Sequence, residues 1–200
     1  SMGAIDGGGY ASGAPAAKLE ETVIKTDWNQ VFVDRPPRAE ISSRRKLDDY
    51  KTLFAPEYGL SSKGLLLPKG ILSGVSIEAY FRSLTESAVG ISDFQRLPIP
   101  FRAIATDIET GESVVLDRGS VPQAMRASMS VPGAMTPVEI NRRLLVDGGI
   151  SNNLPIDHAR ALCGDVIIAV NISRPPLKRE DLTSALSVSL QLVNFLGKHT

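Results

Sequence analysis

The sequence predicts an α/β fold, and three observations carry that prediction. The second half of the chain contains two patterns typical of β-hairpins. Segments with helical periodicity lie between and after these hairpins. Residues 166–170 read Val-Ile-Ile-Ala-Val, a continuously apolar, β-branched run typical of a strand covered on both faces. Strand, helix and a doubly buried strand together favour α/β over a sandwich.

The amino-acid composition of the first half of the chain changes near residue 20. Residues 1–18 are small and glycine-rich, which predicts an element that packs closely against a strand or a ligand. Residues 20–95 are rich in charges and prolines and are interpreted as short helices joined by turns, forming a cap region over one edge of the domain. Within that region, apolar residues at helical spacing predict an amphipathic helix over 76–87.

The second half is more regular. Each predicted hairpin has a short polar turn between two apolar strands, and the strands cover 101–107 with 114–116, and 137–140 with 143–146.

Three helices are expected in the same half. The first covers 121–128, with Ser120 as its N-cap. The second covers 155–162. The third covers 181–198, where polar residues form one stripe and the wide apolar face is expected to pack on the core.

Composition bounds the function classes. With 200 residues, 42% of them hydrophobic, the chain suits one globular domain over residues 1–200. Its 22 basic residues balance its 22 acidic ones, so no net charge draws it to nucleic acid, and a lipid or polymer partner must be held by shape and apolar contact. One cysteine and two histidines argue against a zinc site, and neither a metal nor a cofactor is expected. No apolar run approaches the roughly 18 residues of a membrane span.

Two motifs suggest chemistry. Asp147, Gly148 and Gly149 directly follow an apolar strand, where α/β proteins place their sites, although Asp-Gly is also an ordinary turn signal. At the start of the chain, Ser1-Met2-Gly3 forms the right half of Gly-x-Ser-x-Gly, the sharp turn on which a serine nucleophile stands.

Taken together, these motifs resemble the bacterial patatin-like phospholipases over nearly the whole chain. The stretch 1–13 resembles the nucleophile turn and its helix, 126–133 the central helix and turn, and 145–155 the aspartate motif. The order, nucleophile first and Asp-Gly-Gly later, is more specific than either motif alone. The resemblance implies a three-layer α/β/α fold with a central, mostly parallel sheet.

The resemblance also implies a lipid acyl hydrolase, a phospholipase A or esterase of lipid catabolism. Ser1 would be the nucleophile and Asp147 the general base, supported by Gly3, Gly148 and Gly149. Aspartate is a weak base, so its effect would have to come from alignment in a partly desolvated site. Neither histidine has a role in this dyad.

Two departures from the family pattern qualify that expectation. The family's glycine-rich oxyanion loop lies upstream of the nucleophile, so we expect a domain truncated at its N-terminus that is poorly active alone, while a longer parent is active. Asp6 stands where the family usually has an apolar residue, and it either faces solvent or marks a damaged site.

Alternatives stay open at this point. Ser1-Met2 is also what a cleaved tag leaves before an initiator methionine. A catalytically inactive patatin-like domain that binds lipid or protein is the rival function. The expected partner is a lipid or other ester, with contact to a membrane surface or lipid aggregate. The expected location is the cytoplasm, a membrane surface, or export within a larger outer-membrane protein. Head group, acyl-chain preference and oligomeric state do not follow from the sequence.

Overall fold

The computed structural model describes most of the chain, in segments that together mix helices and strands. The described residues are 2–32, 43, 59–61, 64–66, 72–163, 165–172 and 175–196. The helices are α1 (Met2–Ala11), α2 (Ala16–Lys25), α3 (Trp28–Phe32), α4 (Val75–Leu84), α5 (Val121–Ser128), α6 (Ile156–Cys163) and α7 (Ala185–Leu196). The strands are β1 (Gly59–Ser61), β2 (Gly64–Leu66), β3 (Ala103–Asp107), β4 (Ser113–Leu116), β5 (Val138–Ile140) and β6 (Arg143–Asp147).

The main sheet is built from the two predicted hairpins. Its strand order is β4-β3-β6-β5, and all three pairs are antiparallel. The β5–β6 turn places Asn141 and Arg142 at φ values of 53° and 64°, the left-handed pair that a two-residue hairpin turn requires. Both hairpin predictions are therefore confirmed, whereas the mostly parallel character of the sheet is not, because the described strands pair antiparallel.

Strand β3 lies at the centre of the fold, and all five of its residues are buried. One large core lies around it, with Phe81 and Phe94 fully buried, and Met125 and Leu145 no more than 1% exposed. Each such side chain contributes about 1.5–3 kcal/mol of transfer free energy. This core fixes β3 relative to α4 and α5. It also fixes β6, the strand that ends at Asp147.

The glycines of α1 permit close helix packing, as their composition predicted. A Cβ added at Gly8 would lie 2.7 Å from the Sδ of Met125, and one at Gly9 would lie 2.9 Å from a methyl of Leu19. A side chain at either position would force Met125 or Leu19 to move, so the glycines let α1 pack closely against α5 and α2.

The predicted cap region is described in part. Its expected amphipathic helix is α4, with Ile77 and Phe81 turned into the core. Trp28 of α3 packs edge-on against Tyr80, with ring centroids 5.6 Å apart. Residues 33–42, 44–58, 62–63 and 67–71 of this region lie outside the described residues.

The predicted buried strand over 166–170 is wrong. Residues 166–170 form no strand, and Val166, Ile168 and Val170 are 83%, 87% and 72% exposed. β-Branched residues favour a pleated, covered surface, but a strand forms only where a neighbour supplies a hydrogen-bonding edge. β6 already pairs with β3 on one side and β5 on the other, and no described strand pairs with this segment.

The last helix also differs from expectation in its orientation. Gln191, expected in the solvent stripe, is 7% exposed, while Val188, Leu192 and Phe195 are 40% exposed or more. The Oε1 of Gln191 has a partner outside the helix, since it accepts a hydrogen bond from the main-chain amide of Leu177 at 3.0 Å. None of the helices in the described segments is both long and apolar enough to span a bilayer.

Candidate active site

A cavity of about 930 Å³ opens beside the end of β6. Its wall combines residues of α1, the start of β3, the turn after β6 and α7 with residues 170–172, 175 and 177. The residues that line the cavity include Met2, Gly3, Asp6, Arg102, Ser128, Asp147, Gly148, Gly149, Asn152, Leu154, Val170, Ile172, Leu177 and Gln191. More of the lining surface is apolar than polar, which suits an acyl chain.

Asp147 is the last residue of β6, and three hydrogen bonds hold it. Its main-chain amide donates to the carbonyl oxygen of Ser130 at 2.9 Å. Its own carbonyl oxygen accepts from the Oγ1 of Thr106 at 2.8 Å. Its carboxylate Oδ1 accepts from the amide of Gly149 at 2.7 Å. Backbone and side chain are thus both fixed, and the carboxylate lies at the wall of the cavity.

The two glycines after Asp147 lie in close contact with neighbouring atoms. A Cβ on Gly148 would lie 2.1 Å from the carbonyl oxygen of Ile104, so β3 and this turn touch backbone to backbone. A Cβ on Gly149 would lie 3.1 Å from the Oδ1 of Asp147. Gly148 is therefore required by its contact with the main chain of β3, whereas a side chain at Gly149 would crowd the carboxylate that accepts its amide.

The predicted nucleophile, Ser1, lies outside the described residues. Its two successors, Met2 and Gly3, begin α1, and both line the same cavity as Asp147. Of the predicted site residues that the structure describes, Gly3, Asp147, Gly148 and Gly149 all border one cavity.

Asp6 lines this cavity as well, one turn along α1 from Gly3. Partial burial raises the pKa of the Asp6 carboxyl above its ordinary value. The Asp6 side chain is exposed, which agrees with the expectation that it faces solvent, and it lies at the cavity wall.

Sequence reasoning missed the buried support behind Asp147. Arg126 of α5 is only 2% exposed, and its Nη2 donates to the carbonyl oxygens of Ser73 at 2.9 Å and Thr136 at 3.1 Å. Its Nη1 donates to the Oγ of Ser130, the residue whose carbonyl oxygen receives the Asp147 amide. Position 126 belonged to a recognised motif, but no local pattern indicates that a helical arginine is buried.

Arg102 was missed too. It directly precedes β3, lines the cavity, and donates from Nη1 to the carbonyl oxygen of His158 at 3.3 Å. Within the described segments, no group of three or more His, Cys, Asp or Glu residues could hold a metal ion.

Comparison with known proteins identifies the family of this chain. A family model described as patatin-like phospholipase matches residues 1–160, four fifths of the chain. The chain belongs to the patatin-like phospholipase family. The match includes both Ser1 and the Asp147 turn, and it confirms the family and the α/β class that the sequence predicted.

Relatives of this patatin-like chain lie in mycobacteria and in mammals. An NTE family protein of Mycobacterium tuberculosis, named as uncharacterized, is 33% identical over 173 residues, which cover 86% of this chain and 39% of that protein. A second NTE family protein of M. tuberculosis is 39% identical over 94 residues, 46% of this chain and 16% of that protein. The mouse patatin-like phospholipase domain-containing protein 7 is 42% identical over 76 residues, 37% of this chain and 6% of that protein.

The chain spans about two fifths of the length of the first of these relatives. At the level of the family, the patatin-like match and the NTE relatives support a lipid hydrolase. They do not favour the non-catalytic alternative.

Proposed function

We propose that this chain cleaves carboxylic esters of lipids through an acyl-enzyme on Ser1, with Asp147 as general base. One observation carries the proposal: Asp147 borders the same apolar cavity as Met2 and Gly3, the residues that directly follow Ser1. The residues that follow Ser1 therefore meet Asp147 at one cavity, although Ser1 and Asp147 are 146 positions apart in the sequence.

In the acylation half-reaction, the Oγ of Ser1 attacks the ester carbonyl carbon and its proton passes to the Asp147 carboxylate. The tetrahedral intermediate then expels the alcohol, which takes that proton from Asp147 as the carbon–oxygen bond breaks. The products of this half are an ester on Ser1 and a free lyso-lipid or alcohol.

In the deacylation half-reaction, water attacks the acyl carbon and gives a proton to Asp147. Collapse of the second intermediate releases the fatty acid, and the Asp147 proton returns to the Oγ of Ser1. Both halves need a base held in place. The hydrogen bonds that Asp147 donates to Ser130 and accepts from Thr106 and Gly149 would supply that alignment, which offsets the weak basicity of a carboxylate.

The apolar part of the cavity wall would hold the acyl chain. Exposed Val170 and Ile172 border the cavity and would contact the lipid aggregate from which a substrate is taken. The proposed partner is thus a lipid ester at a surface, and the proposed location is the cytoplasm, a membrane surface, or export as part of a larger outer-membrane protein.

The test is covalent labelling followed by turnover. A fluorophosphonate probe should label the wild-type chain, peptide mass spectrometry should place the label on Ser1, and Ser1→Ala should abolish it. Ser83→Ala, which changes an exposed serine on α4, is the matched control and should label like the wild type.

The base is tested separately with Asp147→Asn, which keeps the shape and removes the proton acceptor. Turnover of a chromogenic short-chain ester should fall by about 10²–10⁴-fold, whereas Asp117→Asn, beyond β4, should leave it unchanged. Where this chain alone turns over too slowly, the same variants are compared in a parent extended at the N-terminus. A label on another residue, or full turnover in Asp147→Asn, refutes the assignment.

A further inference from the structure

A pair of hydroxyl groups, those of Thr106 and Ser151, lies against the Asp147 turn. The Oγ1 of Thr106 and the Oγ of Ser151 are 2.8 Å apart, and the Oγ1 of Thr106 is also 2.8 Å from the carbonyl oxygen of Asp147. Thr106 belongs to β3 and is 2% exposed. In the sheet it pairs with Val146, the residue before Asp147. One strand hydroxyl therefore contacts both the first and the last residue of the segment 147–151.

The number of available protons fixes the direction of these two hydrogen bonds. A threonine hydroxyl carries one proton and a carbonyl oxygen carries none, so the Oγ1 of Thr106 donates to Asp147. Its lone pairs then accept the proton of the Ser151 Oγ. The result is a chain of hydrogen bonds that runs from Ser151 through Thr106 to Asp147. Loss of the Thr106 hydroxyl breaks both bonds, whereas loss of the Ser151 hydroxyl breaks only one.

This hydroxyl chain holds both ends of the short 3₁₀ turn over Gly148–Ile150. Asp147 precedes that turn and Ser151 follows it. Within the turn, the amide of Gly149 donates to the Oδ1 of Asp147 at 2.7 Å. Because one hydroxyl of β3 bonds both ends, the turn has little freedom to tilt against the strand. The direction of the Asp147 carboxylate thus depends on the Gly149 amide, and the position of that amide depends on the two ends of the turn.

The two hydroxyl residues lie behind the base and not at the cavity. Asp147 lines the cavity, whereas in the part of the chain that the structure describes neither Thr106 nor Ser151 does. A displacement of about 1 Å at a catalytic group can cost about 10²-fold in rate, even when its cause lies away from the reacting atoms. These hydroxyls can therefore control turnover without contacting a substrate.

We propose that Thr106 and Ser151 are positioning residues for the reaction, and that their hydroxyl chain holds the Asp147 carboxylate in its working orientation. This inference rests on the proposed hydrolase function and deepens it. Thr106 bonds the main-chain carbonyl oxygen of Asp147, so the pair acts on orientation and takes no proton from the reaction.

Turnover of a chromogenic short-chain ester tests the role of Thr106. Thr106→Val keeps the shape of the side chain and removes the hydroxyl, so kcat should fall about 10- to 100-fold while KM changes by less than about twofold. Thr106→Ser keeps the hydroxyl and should recover most of the lost kcat. All variants are compared at a temperature where urea unfolding shows them folded. Equal losses of kcat in Thr106→Val and Thr106→Ser would assign Thr106 a packing role and overturn the proposal.

Ser151 is tested alone and in combination. Ser151→Ala should lower kcat less than Thr106→Val does, because it breaks one bond of the two. Added to Thr106→Val it should lower kcat no further, since Ser151 acts only through Thr106. Ser113→Ala, at an exposed serine of β4 that pairs with Thr106 in the sheet, is the matched control and should keep the wild-type kcat. Losses that multiply in the double variant, or equal kcat values in Ser151→Ala and Ser113→Ala, would overturn the proposal. The comparison of these two serine variants decides the question even if Thr106→Val does not fold.

Hydrogen exchange separates this proposal from the hydrolase proposal, because it requires no turnover. The reporter is the Gly149 amide, which donates to the Asp147 carboxylate, followed by NMR in ¹⁵N-labelled chain. In Thr106→Val its exchange should speed up by at least about fivefold, while the amides of α4 exchange as in the wild type. In Thr106→Ser the Gly149 amide should exchange at close to the wild-type rate. That pattern would support the positioning role even if no ester were cleaved, and an unchanged Gly149 rate in Thr106→Val would overturn it even if esters were cleaved.

Discussion

The main-chain amide of Asp147 donates a hydrogen bond to the carbonyl oxygen of Ser130, with 2.9 Å between nitrogen and oxygen. Ser130 is itself held twice by Arg126, since its Oγ accepts from the guanidinium and donates to the Arg126 carbonyl oxygen. The backbone of the proposed base therefore depends on a buried arginine on another element. This dependence leads to the first two predictions.

Arg126→Met should unfold more easily and turn over more slowly. The substitution leaves a buried site without the guanidinium, which donates to the carbonyl oxygens of Ser73 and Thr136 and to the Oγ of Ser130, and we expect a loss of about 2–4 kcal/mol in the free energy of unfolding. Because the Asp147 backbone loses part of its support, kcat should fall more than KM rises. Urea unfolding and steady-state kinetics measure both effects. Arg82→Met, on an exposed helical ion pair, is the control and should change stability by no more than about 0.5 kcal/mol. A wild-type unfolding midpoint in Arg126→Met would contradict the role of this network.

Gly74→Ala should destabilise the chain through Arg126. The added Cβ would lie 2.0 Å from the Nε of Arg126, at a φ of 78°. Gly90→Ala, at φ 89° with nothing within 4 Å, isolates the backbone cost of about 1–2 kcal/mol. We expect Gly74→Ala to exceed that cost, and the excess to disappear when Arg126→Met is already present. An additive double-mutant cycle in urea unfolding would show that the two residues do not interact.

Gly148→Ala should damage both stability and the site. Its Cβ would overlap the carbonyl oxygen of Ile104, which is main chain and cannot rotate away, so the turn after Asp147 must move. A loss of about 1–3 kcal/mol in unfolding free energy is expected, with weaker ester turnover. The control is Gly7→Ala within α1, where the added Cβ meets Phe101 at an ordinary 3.4 Å. That control should be neutral or slightly stabilising, because alanine favours a helix. Equal effects of the two substitutions would refute this account of the turn.

Asp6→Asn should change how stability depends on pH. Partial burial raises the pKa of Asp6 in the folded state above its ordinary value, so the folded chain binds this proton more tightly than the unfolded chain does. Relative to Asp6→Asn, the wild type should therefore lose stability as pH rises above about 4, until the folded-state pKa is passed. Below that window both carry a neutral side chain and the difference should be constant. Urea unfolding across pH 3–8 measures this, with Asp165→Asn, at an exposed position, as the control substitution. A difference that grows as pH falls would show the opposite shift.

Local patterns were sufficient where the structure is set by neighbours in sequence. The Ser120 cap of α5 is present, with the Ser120 Oγ accepting from the Gln123 amide at 3.4 Å. The hairpin turn at Asn141 and Arg142 forms where two polar residues interrupt apolar strands. These features involve residues a few positions apart, so composition and spacing decide them.

Patterns failed where a partner distant in sequence decides the outcome. The run at 166–170 has strand composition, but a strand also needs an edge, and no described strand offers it one. The burial of Gln191 depends on the Leu177 amide, and the burial of Arg126 on carbonyl oxygens 53 and 10 positions away.

By itself, the sequence determined the α/β class, the two hairpins, most helices, and the family through its serine and Asp-Gly-Gly motifs. The tertiary structure decided which residues share the cavity. It brought Gly3, Asp6, Arg102 and Asp147 to one cavity. It also placed Arg126 where its guanidinium binds Ser130, the residue whose carbonyl oxygen accepts the Asp147 amide. The physical reason is that periodicity reports which face of an element is apolar, whereas the contacts of charged side chains depend on how separate elements pack around β3.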